Sequence, residues 1–147
     1  MVAPVGCAGW QYSQLGREEA CCAVLHSKRV LVVDDDDGIR IAVADALDFE
    51  GYEVITATNG AEALEQVRTA QPDAVVLDLM MPVMDGWTFM EACRREGLCA
   101  QTPVLVMSAY RHLTETAPNL GAKACIAKPF DLDVLLGAVE RLVQRAA

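Results

Sequence analysis

The sequence has 147 residues, a hydrophobic fraction of 53% and a formal net charge of −9 from 12 basic and 21 acidic side chains. This length fits one domain with a hydrophobic core, and no apolar run approaches the roughly 18 residues that would cross a bilayer. The acidic balance disfavours nucleic acid as a direct partner, because nucleic-acid binding depends on basic side chains that neutralise phosphates. We therefore expect one domain with no direct nucleic-acid or membrane contact.

The amino-terminal segment and the cysteines both indicate a cytoplasmic protein. Residues 1–28 lack a basic start followed by an apolar stretch long enough for export, so they do not form a signal peptide. We interpret them as a weakly structured extension before one domain at 29–147. The six cysteines show neither CxxC pairs nor a histidine at zinc spacing. Cys93 and Cys125 fall within apolar patterns, which predicts small buried side chains in a reducing compartment.

Five short apolar segments alternate with segments of helical period from Arg29 onward. The predicted strands are 29–33, 53–57, 73–78, 103–108 and 123–127. Near-continuous apolar runs are typical of parallel strands that are covered on both faces. Because such strands are joined by right-handed crossovers, the pattern predicts an α/β fold with one doubly wound, five-stranded parallel sheet, (βα)5, and helices on both faces.

The segments between the strands carry helix start and stop signals. Gly51 predicts a left-handed stop after the first helix, and Asn59 with Glu62 predicts a capping box at the start of the second. Asp131 is expected to cap the last helix. The segment after the fourth strand is the weakest, because Pro118 would break or kink an interior turn. We expect a helix there with a distorted or truncated end.

Polar residues stand at the carboxyl ends of four predicted strands. They are Asp34 and Asp35 after the first strand, Asp78 at the end of the third, Ser108 at the end of the fourth and Lys128 after the fifth. In a doubly wound sheet the functional crevice lies outside these strand ends, so the residues should share one pocket. If all are ionised they carry two net negative charges, which a divalent cation would neutralise. The pocket offers only a few hard oxygen ligands and leaves coordination positions open for water. This arrangement favours Mg²⁺ over Ca²⁺, which takes a fuller set of oxygen ligands.

Phosphoryl transfer is the chemistry that this pocket predicts. Asp78 could act as a nucleophile toward phosphorus while Mg²⁺ and Lys128 stabilise charge on the equatorial oxygens. The Ser108 hydroxyl could hydrogen-bond a phosphoryl oxygen from the next strand. The expected product is an aspartyl phosphate on Asp78.

Four ordered motifs resemble the receiver domain of two-component response regulators. They are VLVVDDDDGIR, VVLDLMMPVMDG, VLVMSA and GAKACIAKPF, and the resemblance covers about residues 29–145. It implies a flavodoxin-like, CheY-like domain that accepts a phosphoryl group from a phosphohistidine on a sensor histidine kinase or a histidine phosphotransfer protein. It also implies a signalling domain that is not an enzyme, whose chemistry is limited to its own phosphorylation and dephosphorylation.

The resemblance assigns a role to each matching position. Asp34 and Asp35 match the acidic pair that holds Mg²⁺, Asp78 matches the phosphoacceptor, and the backbone carbonyl of Met80 matches a further metal ligand. In the same way, Ser108 matches the hydroxyl that follows the phosphoryl group. Lys128 matches the lysine of the KPF signature, whose bond to the following proline is usually cis.

Two departures from the family pattern bear on output. Cys125 stands where the family often has an aromatic residue, and the short segment 108–121 carries Pro118. Both lie on the face that receivers commonly use to signal. The last predicted helix runs to Arg145, close to the end of the sequence, so we expect a stand-alone receiver without a DNA-binding output domain. It would bind an unknown downstream protein when phosphorylated, and formation of a homodimer is an open alternative.

Other interpretations compete for the acidic run. A haloacid dehalogenase-type phosphatase would use Asp35 as nucleophile and Asp37 as general acid, but Ile39 replaces the threonine that its motif expects. For Asp37 and its neighbour Asp36, capping of the first helix is the better interpretation. Arg40 is predicted to be a surface charge near the pocket.

Overall fold

The computed structural model describes residues 28–109 and 112–146, and five strands alternate with five helices within them. The strands are β1 (Arg29–Val33), β2 (Glu53–Ala57), β3 (Ala74–Asp78), β4 (Val104–Ser108) and β5 (Ala124–Ala127). The helices are α1 (Asp37–Phe49), α2 (Gly60–Ala70), α3 (Gly86–Glu96), α4 (Leu113–Leu120) and α5 (Leu132–Ala146). The predicted extension lies outside the described residues except for Lys28.

All neighbouring strands pair in parallel, in the order β2-β1-β3-β4-β5. This is the flavodoxin-like order, and the predicted doubly wound sheet is confirmed. The chain first adds β2 on one side of β1 and then crosses to the other side to add β3. The strand order therefore reverses between β1 and β3, and the crevice at a reversal lies at the carboxyl ends of the strands.

The sheet separates two hydrophobic layers, because successive strand side chains point to opposite faces. On one face the core includes Leu31, Val33, Leu64 and Phe89, packed by α2 and α3; on the other it includes Val30, Val32, Leu47, Leu135 and Val139, packed by α1 and α5. Each large apolar side chain that is fully buried stabilises the fold by roughly 1.5–3 kcal/mol. This two-sided burial holds the strand ends in fixed positions.

The helix ends follow the sequence signals with one difference. Gly51 has φ +100° after α1, and the Asp131 carboxylate accepts a backbone N–H in the first turn of α5. The Asn59 side chain accepts from the Glu62 amide at 2.9 Å, as the capping box predicts. Glu62, however, accepts from the amide and hydroxyl of Thr58 at 2.8 and 3.0 Å, and not from the amide of Asn59. Thr58 offers two donors to the Glu62 carboxylate, its amide and its hydroxyl, whereas Asn59 would offer only its backbone amide.

Helix α4 has eight residues and contains Pro118. Proline has no N–H to donate, so one hydrogen bond is missing from the last turn of the helix. The helix ends before Gly121, whose φ is +89° and whose N–H donates to the Pro118 carbonyl at 3.0 Å. The Arg94 guanidinium of α3 donates to the Leu120 carbonyl at 3.1 Å and supports this end.

Among the described helices, none combines the length and apolarity that crossing a membrane requires.

Candidate functional site

Three carboxylates meet at the carboxyl ends of β1 and β3. Val33 pairs with Leu77, so Asp34 and Asp78 follow on adjacent strands. One carboxylate oxygen each from Asp34, Asp35 and Asp78 lies within 4.8 Å of the others. Asp34 and Asp78 are only 0% and 4% exposed, whereas Asp35 is exposed. The predicted acidic residues are therefore brought together, and one of them is open to solvent.

Lys128 reaches the same cluster from the end of β5. Its ammonium donates to Asp34 Oδ2 at 2.7 Å and lies 3.2 Å from Asp78 Oδ2. The Lys128 amide donates to the carbonyl of Ser108 at 2.9 Å, and the bond to Pro129 is cis. Burial acts to lower the pKa of Lys128, but its hydrogen bond to Asp34 and the charge of Asp78 outweigh burial, so that pKa is raised. Lys128 stays positively charged at neutral pH.

The surroundings of Asp78 raise the pKa of its carboxyl above the usual value. Burial is the largest cause and the charge of Asp34 adds to it, whereas Lys128 and the backbone amide of Met80 oppose it. That amide lies 3.3 Å from Asp78 Oδ1. A carboxylate with a raised pKa is a stronger base and a better nucleophile than an exposed aspartate, and a cation among the three carboxylates would offset the cost of ionising it.

Asp34 is held in place on every side. Its Oδ1 accepts from the amide of Asp36 at 2.9 Å, while its Oδ2 accepts from Lys128. Arg40 donates to the Asp34 backbone carbonyl at 2.9 Å and also pairs with Asp37. The Arg40 side chain is only 14% exposed, so the prediction of a surface charge is wrong. Arg40 braces the β1–α1 loop, and its reach back to the strand end was not visible in the sequence pattern.

The rest of the acidic run caps α1, as predicted. Asp36 is the N-cap residue, and its side chain accepts from the Ile39 amide at 3.1 Å. Asp37 lies in the first turn, where the amino-terminal dipole favours negative charge. Its side chain is 78% exposed and pairs with Arg40. The four aspartates thus divide between the cluster and the helix cap.

The β3–α3 loop is packed closely against the end of β3. The Gly86 amide donates to the Leu79 carbonyl at 2.8 Å, and a Cβ atom at Gly86 would lie 2.7 Å from the Asp78 carbonyl oxygen. Only glycine fits this approach. The side chain of Met80 is 56% exposed. Its backbone amide lies 3.3 Å from Asp78 Oδ1, and the predicted role of its backbone carbonyl as a metal ligand stays a prediction.

Ser108 ends β4 at the same edge of the sheet and is fully buried. Asp78 pairs with Met107, which places Ser108 one residue further along the neighbouring strand. Cys125 pairs with Val106 in the middle of β5 and is half-buried against the core, less buried than predicted. The role of the Ser108 hydroxyl toward a phosphoryl group stays a prediction.

The fold and the acidic strand ends define a CheY-like signalling domain, and comparisons with known proteins agree. Residues 30–140 match the family model of the response regulator receiver domain. The chain is 41% identical over 122 residues to response regulator MprA of Mycobacterium tuberculosis. The matched region covers 81% of this chain and 52% of MprA. The chain thus spans about half the length of the curated relatives it matches.

Solved structures give the same result. Chemotaxis response regulator CheY4 of Vibrio cholerae is similar with a TM-score of 0.73 and 35% identity, over 79% of this chain and 98% of that one. Response regulator TrrA of Thermotoga maritima, solved in complex with Mg²⁺ and BeF, is similar with a TM-score of 0.70 and 34% identity, over 78% and 98% of the two chains. This chain belongs to the receiver-domain family of two-component response regulators.

The family match does not support the phosphatase alternative. That alternative needed Asp37 as a general acid beside Asp35, but Asp37 lies exposed in α1 and is paired with Arg40. The cluster instead joins Asp35 to Asp34 and Asp78.

Proposed function

We propose that this receiver accepts a phosphoryl group on Asp78, in a Mg²⁺-dependent reaction with a phosphohistidine as donor. The observation that carries the proposal is the cluster of three carboxylates with Lys128 in contact with two of them. The phosphohistidine would belong to a sensor histidine kinase or a histidine phosphotransfer protein, which are the donors that the receiver family implies. We place the reaction in the cytoplasm.

The donor set fits Mg²⁺. This ion is commonly bound by one or two carboxylates together with waters and phosphoryl oxygens, and an exposed Asp35 beside the buried Asp34 and Asp78 leaves positions open on the solvent side. In our proposal Asp34, Asp35, Asp78 and the Met80 backbone carbonyl hold the ion. When bound, Mg²⁺ would neutralise charge that develops on the phosphoryl oxygens.

The residues of the chain supply the remaining parts of the reaction. A carboxylate oxygen of Asp78 attacks phosphorus, the bond between phosphorus and the histidine nitrogen breaks, and its electron pair stays on the imidazole. The ammonium of Lys128, 3.2 Å from Asp78 Oδ2, is placed to stabilise negative charge on the transferred group. The Ser108 hydroxyl would donate to a phosphoryl oxygen. Water later hydrolyses the acyl phosphate, so the chemistry is limited to the domain's own phosphorylation and dephosphorylation.

Output is proposed to occur through protein binding. The formal net charge of −9 disfavours direct contact with nucleic acid, whereas a downstream protein with a basic surface would be attracted. The Lys128 ammonium lies beside Asp78, and its backbone amide donates to the Ser108 carbonyl at the end of β4. A change in the charge of Asp78 can therefore act through Lys128 on the ends of β4 and β5. Dimerisation on phosphorylation and action as a stand-alone receiver both stay predictions.

The test is phosphorylation of the purified full chain by phosphoramidate, a small donor with a bond between phosphorus and nitrogen. With Mg²⁺ present, intact mass measurement should show the gain of one phosphoryl group, and chelation of Mg²⁺ should abolish it. Asp78→Asn should prevent the gain, whereas Asp45→Asn, an exposed aspartate of α1, should leave it unchanged. Phosphorylation that persists in Asp78→Asn would overturn the proposal.

A further inference from the structure

A cavity of about 560 Å³ lies at the amino ends of β4 and β5, at the opposite edge of the sheet from the carboxylates. Cys93 and Arg94 of α3 line it together with Cys99, Leu120 and Lys123. Its volume lies within the range of small-molecule sites. Two cysteines and two cations at one cavity are not used by the phosphorylation chemistry.

The end of α3 brings the two cysteines together. Gly97 has φ +70°, its N–H donates to the Arg94 carbonyl at 3.2 Å, and the Leu98 N–H donates to the Cys93 carbonyl at 2.9 Å. This pair of bonds turns the chain back over the last helical turn. The residue after Leu98 is Cys99, which therefore lies beside Cys93.

The two cysteines line the same cavity, and neither forms a disulfide. Cys93 is 1% exposed, whereas Cys99 is partly exposed. The neighbouring Cys99 thiol and burial raise the pKa of Cys93, so Cys93 stays protonated. The neighbouring Cys93 thiol lowers the pKa of Cys99 in spite of burial. Cys99 is thus the thiol that ionises more readily, and the thiolate is the reactive form.

The charges around the cavity are suited to an anion. Arg94 and Lys123 line it, and its lining within the described part of the chain contains no carboxylate. The nearby carboxylate of Glu96 is paired with Arg68, at 2.9 Å between Glu96 Oε2 and the guanidinium. A negatively charged molecule in the cavity would therefore meet the cations that line it together with Cys99.

We propose that Cys93 and Cys99 form a redox-active dithiol that reduces small anionic disulfides in this cavity. The Cys99 thiolate attacks one sulfur of the disulfide, forms a mixed disulfide and releases the first thiolate. The sulfur of Cys93 then attacks Cys99 Sγ, the bond from Cys99 to the small molecule breaks, and the proton of Cys93 passes to the second leaving thiolate. The protein loses two protons and two electrons, and the small disulfide becomes two thiols.

The reduced full chain can be tested with dithiobis(nitrobenzoate), an anionic disulfide that releases a coloured thiolate. Trypsin cleaves after Arg94 and Arg95, between the two cysteines, so an internal disulfide joins two tryptic peptides. We expect this joined pair in the mass spectrum and the release of two thiolates for each pair formed. Absence of the joined peptides, or reaction of Cys99 no faster than Cys125, would overturn the proposal.

Variants separate the roles of the two cysteines. Cys99→Ser should lose the rapid release of thiolate, while Cys93→Ala should release one thiolate in the rapid phase and keep the reagent as a mixed disulfide on the tryptic peptide that contains Cys99. A mixed disulfide of the same lifetime in the parent protein would contradict the resolving role of Cys93. Circular dichroism of both variants should match the parent.

A charge-matched pair of reagents tests the preference for anions. Lys123→Gln should slow the reaction with dithiobis(nitrobenzoate) several-fold and should not slow the reaction with cystamine, a cationic disulfide. Lys123 is exposed and lies outside the phosphorylation site, so this variant should still be phosphorylated on Asp78. Equal slowing with both reagents would overturn the preference for anions.

Discussion

The ammonium of Lys128 lies 3.2 Å from Asp78 Oδ2, between two buried carboxylates. Fifty residues separate the two positions along the chain, and the order of β3, β4 and β5 brings their ends to one edge. The second carboxylate is that of Asp34, at 2.7 Å from the same nitrogen. In the absence of a metal ion, Lys128 is the main compensation for both acidic groups, which gives it a structural role as well as a chemical one.

Removal of Lys128 should therefore destabilise the metal-free protein. Lys128→Ala leaves Asp34 and Asp78 buried without their cation, and loss of one partner from a buried pair costs about 3 kcal/mol. The free energy of unfolding can be measured by urea titration at neutral pH with a chelator present. Lys123→Ala, which removes an exposed lysine, should change it by no more than about 0.5 kcal/mol. Equal effects of the two substitutions would contradict the role of Lys128.

Asp78 should make the stability of the metal-free protein depend on pH. Because folding raises its pKa, the stability that Asp78 contributes is fully present below its ordinary pKa and is lost as the pH rises through the raised pKa. Asp78→Asn avoids this loss, so the variant should be more stable than the parent at neutral pH. The difference should shrink as the pH falls below the ordinary pKa of aspartate. Urea midpoints across this pH range provide the measurement.

A matched substitution on the surface shows whether that dependence belongs to the site. Asp45→Asn changes an exposed aspartate of α1, and its effect on the urea midpoint should stay small and nearly constant with pH. A constant difference between Asp78→Asn and the parent at every pH would contradict the burial of an ionised Asp78.

The sequence predicted the sheet and the cluster for one physical reason. Parallel strands that are buried on both faces read as continuous apolar runs, and the first polar residue after such a run marks the carboxyl edge. Asp34 and Asp78 could be located in this way without any knowledge of side-chain positions. The strand bounds then differed by no more than one residue, as at Ala74 and Val104.

Features that depend on side-chain direction were not predictable in this way. Arg40 was predicted to be a surface charge near the pocket, yet its side chain is only 14% exposed and donates to the Asp34 carbonyl. The placement of Cys93 and Cys99 at one cavity depends on the left-handed turn at Gly97. A spacing of six residues does not predict such a placement once the helix between them has ended. Such contacts follow from the fold and not from a local pattern.

Gly86 should not tolerate a methyl group. A Cβ atom there would lie 2.7 Å from both the Asp78 carbonyl oxygen and the Leu79 Cα, so Gly86→Ala must displace the end of β3. We expect a loss of stability of about 2 kcal/mol and slower phosphorylation, because the attacking carboxylate is shifted. Thermal unfolding and the rate of reaction with phosphoramidate measure the two effects.

Gly137 provides the matched control, since it is also a helical glycine. Its added Cβ would lie 3.6 Å from the Arg141 guanidinium, which is ordinary contact. Gly137→Ala should therefore stabilise the protein by up to about 1 kcal/mol, the difference in helix propensity. Stability changes of the same sign in both variants would contradict the steric argument for Gly86.

Mg²⁺ should raise the thermal stability of the protein. An ion that binds only the folded state stabilises it by about 1.4 kcal/mol when its concentration is ten times the dissociation constant. Asp35→Asn removes one charge from the cluster, so the variant should show a smaller shift with Mg²⁺ than the parent does. Differential scanning calorimetry with NaCl of equal ionic strength as the reference separates binding from screening. A melting temperature that Mg²⁺ leaves unchanged would count against the metal site.

Arg40 should support the metal site indirectly. Arg40→Met keeps a long unbranched side chain but loses the hydrogen bond to the Asp34 carbonyl. The loss should cost about 1 kcal/mol of stability and reduce the thermal shift with Mg²⁺. Asp37→Asn is the control, because it breaks the exposed ion pair and leaves the bond from Arg40 to Asp34 intact. Exposed pairs contribute little, so this variant should keep the Mg²⁺ shift. If both variants reduce that shift equally, the effect of Arg40 comes from its ion pair with Asp37 and not from its hold on the Asp34 backbone.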